Sequence, residues 1–149
     1  MTLLRMAALV AAFTLVSAAH AQNAKPQQQV LPPKPRQQDK IFPLGASWIA
    51  VSLNGRPFTG DRPSFTLNQQ FRATGFGGCN TFSATAYPLR EQTLAVGPFA
   101  LTKKQCPGNV MATEQAFLVA LRSSQKWDQK GSTLIIQTGN GELRFERAL

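Results

Sequence analysis

The sequence predicts a small, mostly β domain crossed by one helix. Three observations lead there. Short apolar runs with period-two alternation recur from residue 47 to the C-terminal end. Turn signals separate them, Asn54-Gly55 early and Gly139-Asn140-Gly141 late. A single segment, "GNVMATEQAFLVALRSS", carries apolar residues at helical spacing.

The elements follow in order. "SWIAVSLNG" is an apolar run that Asn54-Gly55 closes. "SFTLN" places Phe65 and Leu67 on one face, and "FRATG" does the same with Phe71 and Ala73. "NTFSATAY", rich in Thr, Phe and Tyr, reads as the next strand. "TLAVG" pairs Leu94 with Val96, and "FALTK" pairs Phe99 with Leu101. In the helix, Val110, Phe117 and Leu121 form the apolar stripe, with Met111 and Leu118 beside them. Asn109 is the expected N-cap. Glu114 lies in the first turns, where the helix dipole favours a negative charge, and Arg122 has the matching sign at the other end. Glu114 also stands four residues after Val110, at the edge of the core, where pairing with an arginine is the alternative. "STLIIQT" and "ELRFER" then flank the "GNG" turn as a hairpin. Leu143 and Phe145 face in, and Glu142, Arg144 and Glu146 share the solvated face.

The predicted domain occupies residues 41–149. Before it, residues 1–21 have an early Arg5, an apolar run and an Ala19-His20-Ala21 ending, the pattern of a cleaved secretory signal peptide. The expected product is periplasmic or secreted, begins at Gln22, and is not transmembrane after cleavage. Residues 22–40 are rich in Gln, Pro and Lys and offer little to bury, which reads as a disordered basic tether. The chain carries 16 Lys and Arg against 7 Asp and Glu, a formal net charge of +9. Such a balance suits anionic partners, but the charges are scattered, as on an ordinary solvated surface.

Several chemistries fall away. The only histidine, His20, lies in the predicted signal peptide. Its loss removes imidazole-based Ser and Cys catalysis, and histidine zinc sites with it. Ser123-x-x-Lys126 has the spacing of a serine–lysine acyl-transfer site, yet this serine closes a helix and the partner motifs are missing. "GFGGCN", residues 75–80, is glycine-rich like a phosphate loop, but no Lys-Ser/Thr pair or helix follows it. Glycines there let a strand bend or pack against another backbone. The aromatics of "FRATGF" and "LRFER" fall at inward positions, which points to core rather than to nucleic-acid stacking.

Two cysteines remain, Cys79 and Cys106. In an oxidising compartment they are expected to pair. Closing a loop of about 28 residues would stabilise the fold by roughly 3–4 kcal/mol. Two buried free thiols are the rival reading, and a redox pair lacks the C-x-x-C spacing.

An ordered set of residues resembles the META/HslJ domain family. It runs from Trp48 and "LNGRP", through Gly78-Cys79-Asn80, to Thr102 and Cys106 in "TKKQCP". It continues with Met111 and Glu114 and closes on Gly131 to Leu134 and Leu143 to Arg147. Where the family often has a glycine and then a tyrosine after the triplet, this chain has Ala84 and Ala86, with Tyr87 displaced by about one residue. The resemblance implies an α+β fold: a curved antiparallel sheet, partly closed like a barrel, with one packed helix. It implies a stress or envelope association and no established catalytic activity, with Trp48, Gly78, Cys79, Asn80, Thr102, Cys106 and Glu114 as signature residues. Asn80 is expected to bond to nearby backbone at the bend. The combined expectation is a non-enzymatic, monomeric envelope module without cofactor or metal. Its partner would be an envelope protein or an anionic envelope component, not a specific nucleic acid. The alternative is a small carrier of an apolar ligand held between sheet and helix.

Overall fold

A computed structural model describes residues 39–149. The expected signal peptide, and the tether up to residue 38, lie outside the described residues. The elements are β1 (Ser47–Leu53), β2 (Arg56–Pro57), β3 (Ser64–Leu67), β4 (Arg72–Phe76), β5 (Thr81–Leu89), β6 (Thr93–Val96), β7 (Ala100–Leu101), α1 (Gly108–Arg122), β8 (Ser124–Lys130), β9 (Thr133–Thr138) and β10 (Gly141–Arg147).

The strands pair antiparallel in the order β10-β9-β8-β6-β5-β4-β3-β1, and β1 pairs back onto β10. Ala50 lies opposite Phe145 and Leu53 opposite Leu143 in that closing ladder. The sheet is therefore a closed eight-stranded barrel, with β2 and β7 as short flaps on β1 and β5. Closure leaves few unpaired strand edges. One joint is thin: β6 meets β8 only where Thr93 faces Lys126, with Trp127 N–H donating to the Gln92 carbonyl at 2.8 Å. The end of α1 lies at this joint, and the Arg122 guanidinium donates to the Val96 carbonyl.

Alternation fills the barrel. Trp48 and Ala50 on β1, Phe65 and Leu67 on β3, Phe82, Ala84 and Ala86 on β5, Leu134 and Ile136 on β9, and Leu143 and Phe145 on β10 are all buried. Alanines opposite large rings let the side chains interdigitate. The helix covers one end of this core. Phe117 is its anchor, with ring centroids 6.1 Å from Phe82 and 6.2 Å from both Phe58 and Phe145. Trp48 and Trp127 bury their indole N–H groups without an acceptor among the described residues, so these rings contribute through area and packing.

Four local expectations differ from the structure. Phe71 is not an inward strand residue: it precedes β4 with φ 58° and holds its ring on the outer surface. Leu101 also points outward, because the two-residue β7 ends the alternation that Phe99 begins. The helix is capped by Pro107 rather than Asn109, with no side-chain cap. Strand β8, "SQKWDQK", is absent from the sequence reading because Trp127 is its only buried residue and no alternation marks it.

The start of the described chain is tied to the barrel. Phe42 stacks edge-on against Trp127 at 4.9 Å. Asp39 Oδ2 accepts the Glu91 N–H at 3.2 Å, and Lys40 Nζ donates to the Gln129 carbonyl at 3.1 Å and to the Asp128 carboxylate. The hydrogen bond from Lys40 holds the Asp128 carboxyl below its ordinary value, against a smaller opposing effect of burial. A folded-state value lowered in this way favours the contact above about pH 4 and releases it as pH falls through the lowered value. An NMR titration should place the Asp128 midpoint below 3.8 in the wild type. Lys40→Ala should return it to the ordinary carboxylate range; an unchanged midpoint would count against the contact.

Candidate functional site

The signature residues meet where β5 begins. Gly77 and Gly78 begin the β4–β5 connection and Cys79 and Asn80 complete it, all four buried. Helix α1 brings Glu114 against them. On the helix Glu114 occupies the inward stripe one turn before Phe117 and Leu118, so its carboxyl group points at the loop, and it is 4 % exposed.

Burying a carboxylate is costly unless donors replace its water. Here three do. Glu114 Oε2 accepts the backbone N–H of Cys79 at 3.1 Å and of Asn80 at 2.5 Å. Glu114 Oε1 accepts Asn80 Nδ2 at 2.8 Å. Every partner is a donor, as an acceptor-only group requires, and such charge-assisted bonds are the strong kind. Glu114 is thus neither an exposed dipole charge nor an arginine partner.

Asn80 is the hub. Its Oδ1 accepts the Thr102 hydroxyl and the Lys104 N–H, each at 2.8 Å. Its carbonyl accepts the Gly77 N–H at 2.7 Å. Together with its N–H and Nδ2, every polar atom of Asn80 is engaged. Thr102 Oγ1 also accepts the Thr81 N–H at 3.2 Å. Cys79 and Cys106 form a disulfide, with Cα atoms 6.1 Å apart, joining this loop to the segment that leads into the helix. Trp48, the remaining signature residue, lies fully buried in the barrel core and outside this network.

The glycines have physical reasons to be there. A Cβ on Gly77 would stand 2.7 Å from Glu114 Oε2, so any side chain would push the carboxylate off the loop. Gly78 has φ 119°, a conformation open to glycine. The glycine-rich loop does cradle an anion, and the anion is the protein's own glutamate.

This arrangement leaves little reactive. Both carboxylate oxygens, the asparagine amide and the threonine hydroxyl bond one another or backbone, and the thiols are joined. The neighbouring cleft, about 200 Å³, is bounded by residues 59–61, Gly78 and the first turn of α1. Of the signature residues only Gly78 lines it. Among the described residues no three His, Cys, Asp or Glu side chains gather as a metal site would need.

The network was not legible as such. The sequence signal was a lone acid on the apolar stripe, Glu114 beside Phe117 and Leu121, together with a glycine-rich loop that lacked any phosphate-binding partner.

Comparison with known proteins agrees with the fold. A family model described as META domain matches residues 42–148. A protein from Burkholderia xenovorans, solved by NMR, is 21 % identical with a TM-score of 0.57 over 78 % of this chain and 99 % of its own. A second NMR structure is also 21 % identical, with a TM-score of 0.56 over 68 % of this chain and 87 % of that one. The crystal structure of a DUF4847 family protein from Bacteroides vulgatus is 14 % identical, with a TM-score of 0.51 over 68 % and 91 %. Among curated proteins no relative matches.

If the network locks helix to barrel, Glu114→Ala strands three buried donors. The expected loss is at least about 3 kcal/mol in urea unfolding with the disulfide intact. Gly77→Ala should be destabilising for the complementary reason. A loss of less than about 1 kcal/mol in Glu114→Ala would mean that the lock carries little.

Proposed function

The chain belongs to the META domain family, and from that premise we propose that it is a non-enzymatic binding module of the bacterial envelope. One observation carries this reading. The polar side-chain groups of Glu114, Asn80 and Thr102, the best candidates for chemistry by sequence, are used up in holding α1 and the Thr102–Lys104 segment to the loop before β5. A catalytic group must be within reach of a substrate and free to exchange a proton or attack. These groups face one another instead, so the signature specifies architecture, and recognition falls to the surface and to the segment before the domain.

That segment supports an envelope role. The export pattern of residues 1–21 would place the chain outside the cytoplasm. Between Gln22 and Gln38 lie Lys25, Lys34 and Arg36 and no acidic residue. Each cation near an anionic surface contributes about 1 kcal/mol of attraction, falling off within a Debye length. The domain is the rigid body, and the basic segment carries it to an anionic envelope component.

The carrier alternative has less support. Between helix and barrel, Phe117 packs against Phe58, Phe82 and Phe145, and the space left there is a surface cleft of about 360 Å³ whose lining includes Arg56, Thr59 and Thr113 beside Leu53, Phe58 and Ala116.

Deleting residues 22–38 should lower the fraction of protein that sediments with envelopes while leaving the unfolding midpoint of the domain unchanged. Fractionation identical to that of the full chain would remove the basic segment from the account.

A further inference from the structure

We propose that the outer face of β4 and β5, around Phe71, Arg72 and Tyr87, binds an acidic glycan. The proposal rests on the reading of the chain as an envelope-binding module and names the class of partner.

The face is built around an unfavourable backbone. Phe71 has φ 58°, a left-handed conformation that a bulky side chain rarely adopts. The turn holds it there: Asn68 Oδ1 accepts the N–H of Gln70 at 3.0 Å and of Arg72 at 2.9 Å, and the Asn68 carbonyl accepts the Phe71 N–H at 3.1 Å. The Phe71 carbonyl in turn accepts the Ala86 N–H at 2.9 Å from β5. The result is an aromatic ring 38 % exposed, at a position where the core gains nothing from it. Strain retained for an exposed group is characteristic of ligand sites.

The ring has company. Tyr87 lies 5.5 Å from it between centroids and is itself 48 % exposed. Its neighbour across β6 is Ala95, too small to cover it. Leu89 projects from the same face of β5 two residues on. Beside this platform runs a shallow cleft of about 450 Å³, lined by Gln70, Arg72, Ser83, Ala84, Thr85 and Pro98. Register joins the two: Arg72 stands opposite Thr85, the outward residue next before Tyr87 on β5. The cleft therefore offers an amide, a guanidinium and two hydroxyls within reach of two stacking surfaces.

That mixture fits a sugar. A pyranose has an apolar C–H face, which packs on aromatic rings, and a rim of hydroxyls, which bond amide, hydroxyl and guanidinium groups. A lipid or helical peptide would call for a broader apolar surface than these three side chains provide. Charge decides the kind of sugar. Arg72 spends one N–H on Ser83 Oγ at 3.3 Å, and the ion pairs among the described residues involve Lys40, Lys126 and Arg144 rather than Arg72 or Arg90, which follows Leu89 in sequence. Glu91, the acid next in sequence to Arg90, is paired with Lys126. A guanidinium left in this state suits the planar carboxylate of a uronic acid.

Calorimetric titration of the purified protein with oligogalacturonate, with neutral maltoheptaose, and with phosphatidylglycerol–phosphatidylcholine vesicles tests this. Oligogalacturonate should bind, and maltoheptaose should bind more weakly. Arg72→Gln and Tyr87→Ala should each weaken oligogalacturonate binding about tenfold or more without moving the thermal midpoint appreciably. Phe71→Gly should weaken binding yet raise the midpoint, because it removes the ring together with the strain. No binding of oligogalacturonate, or equal binding by all three variants, would overturn the proposal. Binding lost only on deleting residues 22–38 would overturn it too while leaving the envelope reading intact. Vesicle binding lost in the same variants, without oligogalacturonate binding, would mean that the face meets lipid instead.

Discussion

A glutamate carboxylate buried among the N–H groups of a glycine-rich loop is the constraint on which the remaining structure depends. Helix α1 has no side-chain N-cap, and its joint with the barrel includes the thin seam between β6 and β8. Phe117 supplies non-directional attachment through its contacts with Phe58, Phe82 and Phe145. Glu114 supplies direction. Its two oxygens fix the helix against Cys79 and Asn80 in one register, because any other would leave a carboxylate and two amides buried without partners. Asn80 then passes the constraint to Thr102 and Lys104, and the disulfide anchors the same segment covalently at Cys106. Loop, connecting segment and helix therefore belong to one cooperative unit.

The barrel was legible where burial imposed a clear period. Leu143 and Phe145 alternate with Glu142, Arg144 and Glu146, and the structure buries the first pair and leaves the others at or near the surface. Phe65, Leu67, Leu94 and Val96 were readable for the same reason. Strand β8 was not, since a strand with one buried residue out of seven carries no period. Phe71 was misplaced because alternation cannot see a left-handed residue, which turns the chain and sends its side chain to the other face. Closure of the ring rests on the β1–β10 ladder, a pairing between the two ends of the domain that local sequence does not announce.

At the candidate site the residues were visible and their roles were not. Gly78, Cys79 and Asn80 stood out by composition, and Glu114 by its place on the helix. What joins them is a contact across 34 residues, Asn80 to Glu114, for which periodicity and spacing give no sign. The loop's likeness to a phosphate cradle had a real physical basis. Consecutive backbone N–H groups turned inward attract an anion, and here the fold provides that anion from within. A site already filled by the protein's own carboxylate has different uses from an open one: it fixes geometry, and the recognition proposed above lies elsewhere, on the strained aromatic face outside β4 and β5.

The central claim is that Glu114 and Asn80 act as one matched pair of acceptor and donor. The most direct measurement is a double-mutant cycle in urea unfolding with Asn80→Asp, Glu114→Gln and both together. Asn80→Asp sets two carboxyl groups against each other, and Glu114→Gln sets two amide NH2 groups against each other. The double variant reverses donor and acceptor between the side chains and leaves an oxygen to accept the Cys79 and Asn80-position N–H groups. The account predicts that the double variant is more stable than either single one, with a coupling of about 2 kcal/mol or more. Costs that add within about 0.5 kcal/mol would contradict it.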